Sequence, residues 1–127
     1  MTKEQLFTES DVLSIHVVLS ERTRGLVAAA ELQSMKPTAV LVNTSRGPVV
    51  DEAALIDVLR EGRIRGAAID VFDTEPLPAD HQLRPLPNAL LTGHVGYVTR
   101  DLYTIFYRDA VEGIAAYRAG FPIRLME

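Results

Sequence analysis

The chain has 127 residues, of which 47% are hydrophobic and 24% charged, a composition typical of a folded globular domain and unlike that of a disordered chain. Thirteen basic and seventeen acidic residues give a net charge of −4, and the scattered basic residues argue against nucleic acid as a partner. The absence of cysteine excludes disulfides and thiolate metal sites, and no apolar run is long enough to span a membrane. We therefore expect a soluble, cytoplasmic protein in which residues 1–127 form one domain, with no leader segment and no membrane partner.

The first predicted elements are a short helix and a strand. Thr2 and Gln5 form a capping-box pattern for a helix that ends near Glu9. The apolar run over 12–18 predicts a strand. Because polar and apolar residues do not alternate cleanly in this run, we expect both faces of the strand to be buried.

A second helix and strand follow. Ala28, Leu32 and Met35 recur at helical spacing and share one face. Pro37 ends this helix because proline cannot continue it. The apolar run over 39–42 predicts the second strand.

The third predicted helix has sequence signals at both ends. Asp51 is a favoured N-cap residue for a helix over 52–61, and Gly62 suits the left-handed position beyond its end. The third predicted strand covers 66–72.

A proline-rich stretch separates the third strand from the last elements. Four of the seven prolines lie in 73–88, so a long helix is unfavourable there, and a long loop inside a compact domain is usually functional. The fourth strand is predicted over 89–93. Thr99 is the expected N-cap of a C-terminal helix over 99–120, which Gly120 ends.

Buried strands alternating with helices at this spacing predict an α/β fold. Right-handed crossovers would join about four parallel strands into a partial Rossmann-like, doubly wound sheet with flanking helices. In such a sheet, ligands bind beyond the carboxyl ends of the strands. Arg46 follows the second predicted strand, Glu75 the third and His94 the fourth. We therefore expect these three side chains to meet at one edge of the sheet.

The combination of Arg, Glu and His suits redox chemistry on a small 2-hydroxy or 2-keto acid. A guanidinium binds a carboxylate through two hydrogen bonds. A histidine exchanges a proton near neutral pH, and a neighbouring carboxylate orients its ring. The hydride must come from a cofactor, because no side chain supplies one. The other two histidines, His16 in the middle of the first predicted strand and His81 in the proline-rich loop, are interpreted as structural.

Four stretches that include these residues carry a family resemblance. In their order and spacing they resemble the D-isomer-specific 2-hydroxyacid dehydrogenases. The stretches are SDVLSIHVVLSERTRGLV (10–27), MKPTAVLVNTSRGPVVDEAAL (35–55), GAAIDVFDTEP (66–76) and LLTGHVGYVT (90–99).

The resemblance implies a role for each matching polar residue. By it, Arg46 binds the substrate carboxylate, His94 is the acid–base group and Glu75 is the carboxylate partner of His94. It also implies NAD or NADP as the cofactor and a small 2-hydroxy or 2-keto acid as the substrate. Asp70 would lie near the nicotinamide carboxamide. The residues expected along the cofactor are Val17, Thr44, Ser45, Arg46, Asp70, His94 and Gly96.

The sequence departs from the family pattern in two respects. Val18 and Gly93 stand where the family usually has proline, which predicts changed loop flexibility and unchanged chemistry. The chain also has no G-x-G-x-x-G turn and no acidic residue about 20 positions after one. We therefore expect a fragment or truncated form of such an oxidoreductase, equivalent to the second half of an NAD(P)-binding domain with its C-terminal helix. Alone, it should bind cofactor weakly or not at all.

Partners and an alternative function complete the expectations. The first predicted strand, 12–18, would expose unpaired backbone N–H and C=O groups at a sheet edge, so we expect a homo-oligomer. The alternative function is a non-catalytic module of the same fold that senses nucleotide or dimerises. The presence of Arg46, Glu75 and His94 together favours the enzyme, because a scaffold does not need this set.

Overall fold

The structure is a computed structural model that describes residues 1–125. It divides into two compact units, one of residues 1–96 and one that begins at Tyr97. Within the described part of the chain, no helix is both long enough and apolar enough to cross a bilayer.

The first unit contains a sheet of four parallel strands whose spatial order follows the chain. In the register of this sheet, Ile15 lies opposite Asn43, Asn43 opposite Ile69, and Ile69 opposite Leu91. The carboxyl ends of all four strands are therefore level, and the loops that follow them leave from one edge. The strands are β1 (Val12–Ile15), β2 (Val40–Asn43), β3 (Gly66–Ile69) and β4 (Ala89–Leu91). The predicted parallel α/β fold is confirmed. The expectation that both faces of the first strand are buried is wrong, because Leu13 and Ile15 are buried whereas Val12 and Ser14 on the other face are exposed.

Three of the helices begin where their capping residues predict. The Thr2–Gln5 capping box is formed at the first helix, the Asp51 carboxylate accepts a hydrogen bond at the start of the third, and Thr99 caps the fourth. Gly62 and Gly120 follow the third and fourth helices with φ values of 63° and 83°, a conformation that glycine adopts without strain. The helices are α1 (Lys3–Glu9), α2 (Ala29–Ser34), α3 (Glu52–Arg60) and α4 (Arg100–Arg118).

Strands β1, β3 and β4 are shorter than predicted. The reason is clearest for β1. It stops at Ile15, not at residue 18, because its neighbour β2 ends at Asn43 and offers no further backbone partner. His16, predicted in mid-strand, therefore lies in the exposed loop beyond β1, where its Nε2 is 2.8 Å from the Ser14 hydroxyl. β3 and β4 likewise end at Ile69 and Leu91, and the residues after them form loops.

The core lies between the sheet and helices α2 and α3, which contact each other. Leu32 of α2, Leu41 of β2 and Leu83 of the proline-rich loop are fully buried. Burying a leucine contributes about 1.5–3 kcal/mol, so Leu83 holds the long loop against the core. The Arg84 guanidinium also donates to the carbonyl oxygens of Leu77 and Pro78, at 2.7 Å each, which fixes the conformation of this loop.

Gly47 allows the loops after β2 and β3 to touch through their backbones. A Cβ at this position would overlap the Phe72 carbonyl and would lie 2.5 Å from the Asp73 nitrogen. Backbone atoms cannot rotate away as a side chain can. Only glycine therefore allows the Arg46 loop to lie directly against the chain that leads to Glu75.

We expect Gly47→Ala to lower the free energy of unfolding by about 1–3 kcal/mol or more, because the added methyl must push two loops apart. Chemical denaturation followed by circular dichroism measures this change. Gly113→Ala in α4 is the matched control, because nothing lies within 4 Å of its Cβ position. The control should stabilise the helix by about 0.5–1 kcal/mol. If Gly47→Ala had the same denaturation midpoint as the wild type, the close approach of Gly47 to the backbone of Phe72 and Asp73 would be contradicted.

Candidate active site

The loop after β2 is anchored by a buried asparagine. The Asn43 amide accepts a hydrogen bond from the Ser45 N–H and donates one to the Arg46 carbonyl, each at 3.0 Å. The Ser45 hydroxyl donates to the carbonyl of Ile15, at the end of β1, at 2.9 Å. These bonds join the Ser45–Arg46 turn to the ends of two neighbouring strands.

A cleft of about 620 Å³ lies along this turn and the loop after β1. It combines apolar side chains with two hydroxyls and the guanidinium of Arg46, and its volume is within the range of small-molecule sites. Four of the residues predicted along the cofactor therefore share one surface. The cleft is lined by His16, Val17, Val18, Leu19, Thr44, Ser45 and Arg46.

Glu75 and His94 form a hydrogen-bonded pair. The His94 Nδ1 is 2.7 Å from one carboxylate oxygen of Glu75, and the other oxygen accepts from the Phe72 N–H at 2.9 Å. The hydrogen bond from His94, followed by that from Phe72, lowers the pKa of Glu75, and the positive charge of Arg46 adds to the shift. An ionised carboxylate only accepts hydrogen bonds, so Nδ1 carries the proton. In the neutral ring, Nε2 then holds the free lone pair.

Asp70 holds the loop that carries His94. One oxygen of its buried carboxylate accepts from the Thr92 hydroxyl at 2.5 Å and from the Val95 N–H at 2.8 Å, and the other accepts from the Gly96 N–H at 2.7 Å. The His94 N–H donates to the Asp70 carbonyl at 2.8 Å. Burial raises the pKa of Asp70, but the hydrogen bonds from Thr92, Val95 and Gly96 outweigh it, and the net shift is downward.

Gly96 lies between Asp70 and Thr44. A Cβ on Gly96 would be 2.9 Å from an Asp70 carboxylate oxygen and 3.4 Å from the Thr44 methyl group. The absence of a side chain at Gly96 therefore brings together three residues that were predicted along the cofactor and that follow three different strands.

A second cleft, of about 490 Å³, contains the Glu75–His94 pair. Arg46 lines the first cleft and influences Glu75 through its charge. The meeting of all three side chains around one substrate stays a prediction. The second cleft is lined by Phe72, Glu75, Pro76, Leu77, Arg84, Leu91, Thr92, Gly93 and His94.

Sequence reasoning missed two polar residues that support the site, Asn43 and Thr92. Each is at or just beyond the end of an apolar strand, which is the signal that could have found them. His81, interpreted as structural, pairs with Glu52 at 3.0 Å. Among residues 1–125, no three His, Asp or Glu side chains cluster as a metal site requires.

The comparisons with known proteins identify the family. The family model for the NAD-binding domain of D-isomer-specific 2-hydroxyacid dehydrogenases matches residues 1–96. The chain belongs to this family. Its sequence is 45% identical over 117 residues to a glyoxylate reductase from Aeropyrum pernix. The aligned segment covers 92% of this chain and 35% of the relative. The chain therefore spans about a third of the length of the curated relatives it matches.

Solved structures of similar oxidoreductases have the same fold. A phosphoglycerate oxidoreductase from Vibrio cholerae superposes with a TM-score of 0.84 at 39% identity, over 94% of this chain and 38% of that protein. A D-isomer-specific 2-hydroxyacid dehydrogenase from Xanthobacter autotrophicus Py2, in complex with NADPH and MES, has a TM-score of 0.71 at 37% identity, over 95% of this chain and 50% of that protein. The family and its fold are shown by these matches.

Two glycines of the His94 loop allow a matched test of the close packing. We expect Gly96→Ala to destabilise the protein by about 1–3 kcal/mol, because its methyl must displace the hydrogen-bonded carboxylate of Asp70. Gly93→Ala should not destabilise the protein through such a clash, because no atom lies within 4 Å of its Cβ position. Denaturation midpoints of the two variants check the difference. Equal midpoints would contradict the contact of Gly96 with Asp70.

The Glu75–His94 pair also predicts a pH dependence. The pKa of Glu75 is lower in the folded protein, so the pair stabilises the fold above the ordinary carboxyl pKa, and this contribution is lost as pH falls through the folded value. In Glu75→Gln, the unfolding free energy should therefore fall less steeply than in the wild type below about pH 5. Glu9→Gln, at the exposed end of α1, is the control and should follow the wild type. If the unfolding free energies of Glu75→Gln and the wild type fell equally steeply with decreasing pH, the pairing of Glu75 with His94 would be contradicted.

Proposed function

We propose that this chain is the nicotinamide-side part of an NAD(P)-dependent oxidoreductase that interconverts D-2-hydroxy acids and 2-keto acids. The observation that carries the proposal is the hydrogen bond between Glu75 and the Nδ1 of His94. It leaves Nε2 without a protein partner among the described residues, so this nitrogen can exchange a proton with a substrate.

His94 acts as the acid–base group in this proposal. In the oxidation, its Nε2 accepts the hydroxyl proton of the 2-hydroxy acid, and in the reduction it returns a proton to the carbonyl oxygen. Glu75 holds the ring in the required tautomer and stabilises the imidazolium that forms. Arg46 binds the substrate carboxylate through its planar guanidinium.

The cleft along Arg46 fits a nicotinamide nucleotide. Val17 and Leu19 offer an apolar wall for an aromatic ring, and Thr44 and Ser45 offer hydroxyls for a ribose. Asp70, whose carboxylate lies next to Gly96, would face the carboxamide of the nicotinamide. When bound, the cofactor supplies or accepts the hydride that no side chain can provide.

The activity proposed for the whole enzyme needs more than this chain. A dinucleotide is held by its pyrophosphate on a glycine-rich turn at a helix N-terminus, and the sequence has no G-x-G-x-x-G pattern. We therefore propose that the chain is the second half of an NAD(P)-binding domain with its C-terminal helix, and that alone it binds NAD or NADP weakly or not at all and turns over little or nothing. Homo-oligomer formation and a cytoplasmic location belong to the same proposal.

A chimera tests the proposed chemistry directly. This chain replaces the matching segment of the Aeropyrum pernix glyoxylate reductase, and cofactor oxidation with glyoxylate is followed by absorbance. We expect turnover, and we expect His94→Gln to lower kcat by about 10²–10⁴-fold, because a general acid–base group is lost. His81→Gln is the matched control and should leave kcat near that of the unsubstituted chimera.

Two results would contradict the proposal. One is a folded chimera that binds NADH without turnover, which would favour the non-catalytic module. The other is a His94→Gln chimera with the same kcat as the unsubstituted one.

A further inference from the structure

The backbone at His94 adopts a conformation that its own sequence does not favour. His94 has φ of 58°, in the left-handed region that residues other than glycine seldom occupy. Gly93, directly before it, has the greatest backbone freedom of any residue type, and nothing packs within 4 Å of its Cβ position. The local chain therefore does not fix the direction of the imidazole, and contacts from elsewhere must do so.

Besides the hydrogen bond from the ring to Glu75, the contacts that hold the backbone of this loop lead to Asp70. The N–H groups of three successive residues, His94, Val95 and Gly96, donate to its carbonyl and to its two carboxylate oxygens. Three consecutive N–H groups converge on one residue only when the chain curls around it, which explains the left-handed conformation of His94. The Asp70 carbonyl holds the His94 N–H, and the orientation of the Asp70 carboxylate sets the position of the two residues that follow, Val95 and Gly96.

Thr92 is in a position to fix that orientation. Its N–H donates to the Ile69 carbonyl at 3.0 Å, which extends the β3–β4 ladder and holds the Thr92 backbone to the sheet. Its hydroxyl donates to the Asp70 oxygen that also accepts from Val95. The carboxylate is thus held from the sheet on one side and binds the loop on the other.

We infer that Thr92 is a positioning residue for His94, which acts by holding the Asp70 carboxylate so that the loop presents the imidazole to Glu75. The inference rests on the proposed function only in naming His94 as the acid–base group. The hydroxyl, and not the bulk of the side chain, is the part that acts.

The test uses the full chain labelled for NMR. In the wild type we expect nuclear Overhauser contacts between the His94 ring and the Glu75 side chain, and a Thr92 hydroxyl proton that exchanges slowly with water. Thr92→Val should lose most of the contacts between the His94 ring and Glu75. It should also raise the pKa of Glu75 toward its value in His94→Gln, because the hydrogen bond from His94 lowers this pKa. Thr92→Ser should restore both signals.

Thr8→Val is the matched control. Among residues 1–125, the Thr8 hydroxyl bonds only within α1, to the Glu4 carbonyl at 3.0 Å and the Gln5 carbonyl at 3.4 Å. This variant removes a hydroxyl of the same kind and should leave the Glu75 titration and the His94 contacts as in the wild type. A loss of signal in Thr92→Val with no change in Thr8→Val therefore supports a positioning role.

Three results would overturn the inference. They are a folded Thr92→Val protein with wild-type ring contacts and Glu75 titration, a Thr92→Ser protein that behaves like the valine variant, and a wild-type Thr92 hydroxyl proton in fast exchange. If the valine variant does not fold, Thr92→Ala removes the same hydroxyl without a clashing methyl group. These signals need no cofactor or turnover, so failure of the proposed chemistry would be seen separately in the chimera.

Discussion

The level carboxyl ends of four parallel strands determine where every polar group of the candidate site lies. Ile15, Asn43, Ile69 and Leu91 share one row of the sheet, so the next residue of each strand enters a loop at the same edge. Parallel strands must be joined by crossovers, which return the chain to the side of the sheet where each new strand begins. Residues far apart in the sequence thereby emerge side by side, and a site forms without any of them being adjacent in the chain.

The buried polar side chains of the described residues, Asn43 and Asp70, are both at this edge. A buried polar group is costly unless its hydrogen bonds are made, and both side chains make them to the loop backbone. Asn43 fixes the turn that carries Arg46, and Asp70 fixes the loop that carries His94. The groups proposed for chemistry remain partly exposed, while Asn43 and Asp70, which hold the loops that carry them, are buried.

Three helix starts and the parallel sheet could be predicted from the sequence because each has a local cause. Thr2, Asp51 and Thr99 are capping residues whose side chains bond within one turn, and Gly62 ends a helix through its own backbone freedom. Strand ends were less predictable. The apolar run over 12–18 continues past Ile15, but a strand lasts only as long as its neighbour supplies hydrogen bonds, and β2 stops at Asn43.

By itself, the sequence determined the α/β fold class, the order of its elements and the family to which the chain belongs, because these follow from local propensities and from motifs contiguous in the chain. The resemblance also implied the pairing of Glu75 with His94, which the hydrogen bond between them now gives a geometry. Only the tertiary structure decided that Arg46 lines a separate cleft and that Thr92 and Asn43 support the loops. These are contacts between residues that follow different strands or turn a loop back on itself. Their distances depend on sheet register and on the close approach at Gly47, which no short stretch of sequence encodes.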